Sequence, residues 1–367
     1  MNIAVTGSDG FIGKNLIYHL LLNKKFNVFK IKRETKKKDI NSILKKSDII
    51  CHLAGVNRPK KIKAFKKDKI ILTKYICDYL QKKNYKKKII FSSSTQVESK
   101  NDYGKSKKLC EKILSRFAKN TKSPVYILRL PNIFGKWSRP NYNSVVSTFC
   151  YNISRNRKIK ISDPKKKVKL LYIDDLIEIF KKIINNKLKK NKLIYKIPAT
   201  KTVTLKNLSK SIFDFELKRK KLLISNFSSK FEKNLYSTFI SFLPKKKITY
   251  KLKASNDSRG SFTEFLKTKN NGQISVFVAK KNQIRGHHFH HSKVEKFFVL
   301  RGKAKFSMRD ISSNQKVQFN LSGEKPTVVE SIPGCEHYIK NQGNEDLIVL
   351  LWCNEIFDVN KPDTFKI

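Results

Sequence analysis

Apolar residues fall in short continuous runs through the first two thirds of the chain and in alternation after that. The runs at 2–6, 27–32, 48–55, 88–92 and 125–130 have strand length, and the stretches between them carry helical spacing, as at Leu16, Leu20 and Leu21. Strands that are apolar throughout and alternate with helices predict a parallel sheet covered on both faces. Beyond Leu243-Pro244 and a lysine run the texture changes. Segments such as Ile274-Ser-Val-Phe-Val278 and Lys296-Phe-Phe-Val-Leu300 are broken by Gly272, Gly286, Gly302, Gly323, Gly334 and Gly343. That pattern predicts an all-β sandwich or barrel. The chain therefore reads as two domains, an α/β doubly wound parallel sheet over 1–243 and an all-β barrel over 244–367.

The first strand runs directly into Gly7-Ser-Asp-Gly10-Phe-Ile-Gly13 and then a helix, the order of a Rossmann-type dinucleotide loop. Gly7 makes the tight turn, Gly10 lets the backbone approach a pyrophosphate, and Gly13 allows close helix packing. At the end of the second strand, where an NAD site usually carries an acid, stands Arg33. A guanidinium there favours NADP, while the adjacent Glu34 leaves NAD open.

Tyr103-Gly-Lys-Ser-Lys107 places a phenol and an ammonium on one helical face. A neighbouring cation stabilises phenolate and is expected to bring the hydroxyl towards the range useful for general acid catalysis. Upstream, Phe91-Ser-Ser-Ser-Thr95 ends a strand with hydroxyls, of which Ser94 is the choice for binding the same substrate oxygen.

In the second domain, Gly286-His-His288-Phe-His290-His-Ser-Lys-Val-Glu295 is followed by Pro333-Gly334-Cys-Glu-His337. On a strand, His288 and His290 share a face. With Glu295 and His337 from neighbouring strands they make a set suited to one divalent cation, zinc before others.

Composition modifies this picture little. The net charge is +53, but the lysines are spread along the chain instead of gathering on one arm, so neither nucleic acid nor a membrane is the expected partner. Anionic small molecules would still be drawn in. No apolar run reaches membrane-spanning length, and the six cysteines lack paired spacing. Both point to a cytoplasmic protein with reduced thiols.

Taken together, the motifs resemble the extended short-chain dehydrogenase/reductase family. The carriers are Thr6-Gly7-x-x-Gly10-Phe-Ile-Gly13, His52-Leu-Ala-Gly55, Ser92-Ser-Ser94, Tyr103-x-x-x-Lys107, Arg129-Leu-Pro-Asn-Ile-Phe-Gly135 and Tyr172-Ile-Asp-Asp175. The resemblance implies Tyr103 as acid/base, Lys107 as the residue that lowers its pKa and holds the nicotinamide ribose, and Ser94 on the substrate oxygen. It also implies a cofactor site built from Gly7, Gly10, Phe11, Ile12, Gly13, Arg33, Leu53, Ala54 and Gly55. Asn132, Trp137, Arg139 and Asn143 then fall where a nucleotide diphosphate is contacted. The interval from Ser94 to Tyr103 is shorter than usual in nucleotide-sugar members, which leaves Ser93 and Thr95 as alternatives.

The pattern His-x-His-x4-Glu-x6-Gly, with Gly-x2-His-x3-Asn downstream, resembles the cupins. Asn256-Asp257-Ser-Arg259-Gly260-Ser-Phe262-Thr-Glu264 is similar to the 4-keto-6-deoxy-sugar epimerases of that class, in which the residue aligned with His288 is a base instead of a ligand. A reductase followed by a cupin resembles the bifunctional nucleotide-sugar enzymes of capsule and O-antigen synthesis. That implies a UDP-linked 4-keto-6-deoxy-N-acetylhexosamine substrate, C3 epimerisation, NADPH-dependent C4 reduction to UDP-N-acetyl-6-deoxy-L-talosamine for N-acetyl-L-fucosamine, and a homodimer. The narrower expectation is a single-activity 4-keto reductase whose cupin is structural.

Overall fold

The computed structural model describes residues 1–55, 63–99, 101–188, 192–225 and 227–366, with backbone alone for 63–69. Residues 56–62, which follow the His52-Leu-Ala-Gly55 motif, lie outside the described residues. The first half of the α/β region runs β1 (Asn2–Thr6), α1 (Phe11–Leu21), β2 (Asn27–Ile31), α2 (Lys37–Lys46), β3 (Ile49–His52), α3 (Lys63–Lys82), β4 (Lys88–Ser94), α4 (Asp102–Thr121) and β5 (Val125–Leu130). It continues with β6 (Asn132–Phe134), α5 (Val145–Ile153), β7 (Lys167–Tyr172), α6 (Ile173–Ile184), β8 (Ile194–Lys196), β9 (Lys201–Thr204), α7 (Leu205–Lys220), β10 (Leu223–Ile224) and α8 (Lys230–Ser241).

Strands β1, β2, β3, β4, β5 and β8 form one parallel sheet in the order β2-β1-β3-β4-β5-β8. Only one strand lies beyond β1, where a Rossmann sheet of order 3-2-1-4-5-6 has two. The chain reverses direction across the sheet between β1 and β3, and ligands of open α/β sheets bind at the carboxyl ends of the strands flanking such a point. Successive residues of a strand point to opposite faces. Ile3 and Val5 accordingly pack with Leu16 and Leu20 of α1 and Leu176 and Phe180 of α6. Ala4 packs on the other face with Leu44 of α2, Leu80 of α3 and Leu114 and Phe117 of α4.

Helix α4 begins where Asn101 accepts a hydrogen bond from the Gly104 amide at 2.7 Å, and it ends at Lys122 in the left-handed region, φ 56°. Helix α1 has no such side-chain cap at Gly10, so none of its first N–H groups is taken by a capping side chain there.

The all-β region comprises β11 (Ala254–Asp257), β12 (Gly260–Thr268), β13 (Gly272–Ala279), β14 (Ile284–His288), β15 (Glu295–Arg301), β16 (Lys303–Asp310), β17 (Lys316–Ser322), β18 (Val328–Glu330), β19 (Cys335–Asn341) and β20 (Leu347–Cys353). One sheet has the order β10-β12-β13-β20-β15-β18, with β11 on β12, and the other β14-β19-β16-β17. Phe277, Phe297 and Val349 of the first sheet and Phe306 and Ile339 of the second meet in a common core. This is the all-β cupin architecture.

Two compact units result, Met1–Phe213 with Ser229–Pro244, and Asp214–Ser228 with Lys245–Ile367. The second unit takes in residues 214–228, which the sequence reading assigns to the first. The reason is that β10 pairs in parallel with β12, Leu223 opposite Lys267.

Candidate functional sites

In the first unit a cleft of about 570 Å³ opens at the carboxyl ends of β1, β3, β4 and β5. Gly7, Gly10, Phe11, Ile12, Gly13, Leu53, Gly55, Ser94, Tyr103, Lys107, Asn132, Trp137, Arg139 and Asn143 all line it. Gly7 has φ +66°, and a Cβ there would stand 2.8 Å from Ala54 Cα; a Cβ on Gly13 would stand 2.3 Å from the Gly7 carbonyl. Ala54 thus acts as the floor beneath the turn. The uncapped start of α1 adjoins this turn and suits a pyrophosphate.

Thr6 Oγ1 accepts from the amides of Leu53 and Ala54, each at 3.1 Å, so its proton goes to His52 Nδ1 at 2.7 Å. His52 is then the Nε2–H tautomer, donating to Thr73 Oγ1 at 2.9 Å, which donates to Cys110 Sγ at 3.4 Å. Burial, aided by Lys107, brings His52 down to about 3, which keeps it neutral. Thr6 and His52 together make the joint that holds the Leu53-Ala54 wall against the glycine turn.

The three serines of β4 divide their work. Ser94 hydrogen-bonds Tyr103 and caps the short 3₁₀ turn Thr95–Glu98 through the Gln96 amide at 3.2 Å. Ser93 donates to Glu111 at 2.5 Å, and Glu111 is held by Arg129 at 3.1 and 2.7 Å. Of the candidate hydroxyls, Ser94 is therefore the one joined to the tyrosine. Lys107 donates to the Ser92 carbonyl at 2.5 Å, with its ammonium 4.6 Å from the centre of the Phe91 ring.

Burial pushes the Tyr103 hydroxyl up to about 12 against the lowering pull of Ser94, and Tyr142 adds to the rise. Burial also brings Lys107 down to about 8. This departs from the expectation that Lys107 lowers Tyr103, because desolvation dominates both groups and the ammonium is turned to Ser92.

At the far end of the cleft the 135–138 loop is pinned from three sides. Asn15 donates to the Lys136 carbonyl at 3.3 Å, Lys136 donates to Asp174 at 2.6 Å, and His19 Nε2 lies 3.1 Å from the same carboxylate oxygen. Burial alone would raise Asp174, but Lys136 and His19 hold it below the usual carboxylate range. Trp137 packs against Tyr18 with ring centres 5.1 Å apart, and Arg139 lies 5.2 Å from the Tyr142 ring. The Asn132 amide donates to the Lys169 carbonyl at 3.2 Å.

Asp9, Lys14, Gln96 and Tyr142 also line the cleft and were not singled out from the sequence. Tyr142 sat within a stretch already flagged for substrate contacts; Gln96 carried no pattern. Arg33 is exposed on the turn after β2 and is not among the lining residues.

The second unit holds a separate cleft of about 510 Å³, lined by His288, Glu295 and His337 together with Arg259, Glu264, Arg285 and Lys293. One donor atom from each of His288, His290, Glu295 and His337 lies within 4.8 Å of all the others. Strand β14 ends at His288, with a shift in pairing register at His287, so His290 follows the strand instead of belonging to it. Glu295 comes from β15 and His337 from β19.

The outer nitrogens of two imidazoles are committed to carbonyls, His290 Nδ1 to Asp363 and His337 Nδ1 to Cys335 at 3.2 Å. That fixes both as Nδ1–H tautomers and turns their Nε2 atoms inward. Glu295 Oε2 lies 3.2 Å from His337 Nε2 and 3.4 Å from His290 Nε2. In these tautomers an Nε2 lone pair and the Glu295 carboxylate are both acceptors, and His290 Nε2 is a buried polar atom without a hydrogen-bond partner. A buried nitrogen left unsatisfied inside a His₃Glu set fits a divalent cation. Burial and the imidazole of His337 bring His288 down to about 4, so it is available as a neutral donor.

Residues 3–197 match the family described as NAD dependent epimerase/dehydratase, and 255–365 match the polysaccharide biosynthesis C-terminal domain. The chain is 40% identical over 365 residues to the UDP-2-acetamido-2,6-beta-L-arabino-hexul-4-ose reductase of Pseudomonas aeruginosa, which covers 100% of this chain and 98% of that protein. The capsular polysaccharide assembling protein CapF of Staphylococcus aureus superposes with a TM-score of 0.93 at 39% identity, covering 100% of both chains. A UDP-glucose 4-epimerase of Thermotoga maritima, at 19% identity and a TM-score of 0.57 over 68% of this chain and 100% of that one, shares the fold of the first region.

Proposed function

The chain belongs to the NAD dependent epimerase/dehydratase family, and from that premise we propose a bifunctional enzyme that epimerises C3 of a UDP-linked 4-keto-6-deoxy-N-acetylhexosamine and reduces C4 with NADPH. Its product is UDP-N-acetyl-6-deoxy-L-talosamine, a precursor of N-acetyl-L-fucosamine for capsule or O-antigen. The observation that carries the reading is the pair of separate clefts, one with Ser94 hydrogen-bonded to Tyr103 beside the glycine turn and one with a His₃Glu cluster.

Bound NADPH supplies the hydride for C4. Gly7, Gly10 and the start of α1 hold the pyrophosphate, with Leu53, Ala54 and Gly55 as the opposite wall. Tyr103 gives its proton to the C4 oxygen as the alcohol forms, and Ser94 orients that oxygen. A hydroxyl raised to about 12 stays protonated at rest and holds its proton more tightly than an ordinary phenol, so it gives the proton up only as negative charge develops on the C4 oxygen. Lys107 carries the positive charge of the site. Asn132, Trp137, Arg139 and Asn143 bind the nucleotide end.

In the barrel, a C4 ketone acidifies the C3 proton, so that a base in the cleft takes it to leave an enolate, and an acid on the opposite face returns a proton to C3. Arg259 and Arg285, both lining the cleft, offer cations to the substrate's diphosphate. His288, His290, Glu295 and His337 would hold one divalent cation, and its donor set suits zinc, which would supply Lewis acidity there. The unsatisfied His290 Nε2 favours the ligand set over a free histidine base. The family expectation of a dimer is retained as part of this proposal.

The narrower reading, a reductase with a structural barrel, draws support from the name of the Pseudomonas relative. Incubation with the UDP-4-keto sugar and NADPH in deuterium oxide separates the two. An inverted, deuterated C3 in the product, read by NMR, supports the bifunctional enzyme; a reduced product with unlabelled, uninverted C3 supports the reductase alone.

A further inference from the structure

His290 lies past the end of β14, outside the strands of the two sheets that supply its companions, with its carbonyl accepting from the Gly334 amide at 2.8 Å. Beyond the end of β14, the chain from Phe289 to Lys293 is supported by residues 363–365. Phe289 and Phe365 exchange backbone hydrogen bonds at 2.9 and 3.0 Å. The Asp363 carbonyl accepts from His290 Nδ1. The Asp363 carboxylate accepts from three successive amides, His291 at 2.9 Å, Ser292 at 2.7 Å and Lys293 at 2.8 Å, and from Ser292 Oγ at 2.9 Å. Lys293 Nζ donates to Thr364 Oγ1 at 2.7 Å.

Successive amides converging on a carboxylate form a nest, and charge-assisted bonds of this kind are about twice as strong as neutral ones. We propose that Asp363 is the positioning residue of the barrel's cation site, with its carboxylate clamping the 291–293 turn and its carbonyl setting the tautomer and ring orientation of His290. The inference rests on the cation reading above. Asp363 touches no ligand-binding atom, so its influence on the site runs wholly through His290 and the turn behind it.

Zinc affinity by competition with a chromophoric chelator tests this on the full-length protein, in the wild type, Asp363→Ala, Asp363→Asn and Asp358→Ala. Partners that orient metal-binding imidazoles are worth 10- to 100-fold in metal affinity. Asp363→Ala is expected to weaken zinc by that factor, and Asp363→Asn by less, because one oxygen still accepts. Asp358→Ala is expected to match the wild type, since that carboxylate caps only its own turn at the Asn360 amide. A merely structural role would lower the unfolding temperature of the zinc-free protein and leave zinc affinity within twofold, which overturns the inference. If Asp363→Ala does not fold by circular dichroism, wild-type affinity in Asp363→Asn overturns it equally. A wild type that binds no zinc overturns the cation reading itself, and the inference with it.

Discussion

Burial shifts Tyr103 and Lys107 in opposite directions, the phenol up to about 12 and the ammonium down to about 8. A lysine that titrates at 10.5 unfolded and about 8 folded makes its full contribution to stability above 10.5 and loses it as pH falls through 8. The gap corresponds to about 3 kcal/mol. Lys107→Met is therefore expected to gain on the wild type as pH falls from 10.5 to 7.5, by up to that amount, in urea unfolding at the two pH values. Arg33 makes a second test at this scale. If it pairs with a 2′-phosphate, Arg33→Ala weakens NADPH at least tenfold by calorimetry, since a charged hydrogen bond is worth about 1.5–3 kcal/mol, while NADH is unaffected. Equal losses for both cofactors would remove Arg33 from that role. Tyr103, Lys107 and the glycines were legible as residues because their spacing is local. Ser94, the hydroxyl chosen from the sequence, is the one hydrogen-bonded to Tyr103; that Ser93 is committed elsewhere was not legible, because its partner is Glu111, eighteen positions away, which itself answers to Arg129.

Among elements, the join between α4 and the turn Thr95–Glu98 sets the distance from Ser94 to Tyr103. Gly104 makes this join possible: a Cβ there would lie 2.1 Å from the Gln96 carbonyl. Gly104→Ala forces helix and turn apart, and overpacking of this kind costs about 1–3 kcal/mol. The expected result is a lower unfolding temperature with a drop in kcat for ketone reduction, measured side by side; full kcat would show that the join does not position the pair. Strand positions in the parallel sheet were readable from continuous apolar runs, and β1 to β5 fall where those runs lie. The two-residue strand β10 was not, because its pairing with β12 depends on a partner more than forty positions later and leaves no period in its own sequence. The end of β14 short of His290 was hidden for a related reason, since alternation of histidines continues across the point where the sheet pairing stops.

At the scale of the whole chain, each unit has its own cleft. Among the described residues no helix is long and apolar enough to cross a membrane. Removing a cation with a chelator is expected to lower the thermal stability of the barrel and leave NADPH affinity unchanged, by calorimetry of both transitions with and without added zinc; loss of NADPH binding would contradict independent sites. For the proposed bifunctional enzyme the substrate sets the order of the two reactions, because C3 is acidic only while C4 is a ketone, and reduction removes that ketone. The most direct test is solvent deuterium incorporation at C3 by Tyr103→Phe, supplied with the UDP-4-keto sugar and NADPH. Loss of a general acid costs about 10²- to 10⁴-fold, so C4 reduction is expected to fall by that factor while deuterium still enters C3 at the wild-type rate. Deuterium incorporation abolished together with reduction, in a folded protein that still binds NADPH, would contradict the division of labour and place both steps in one site.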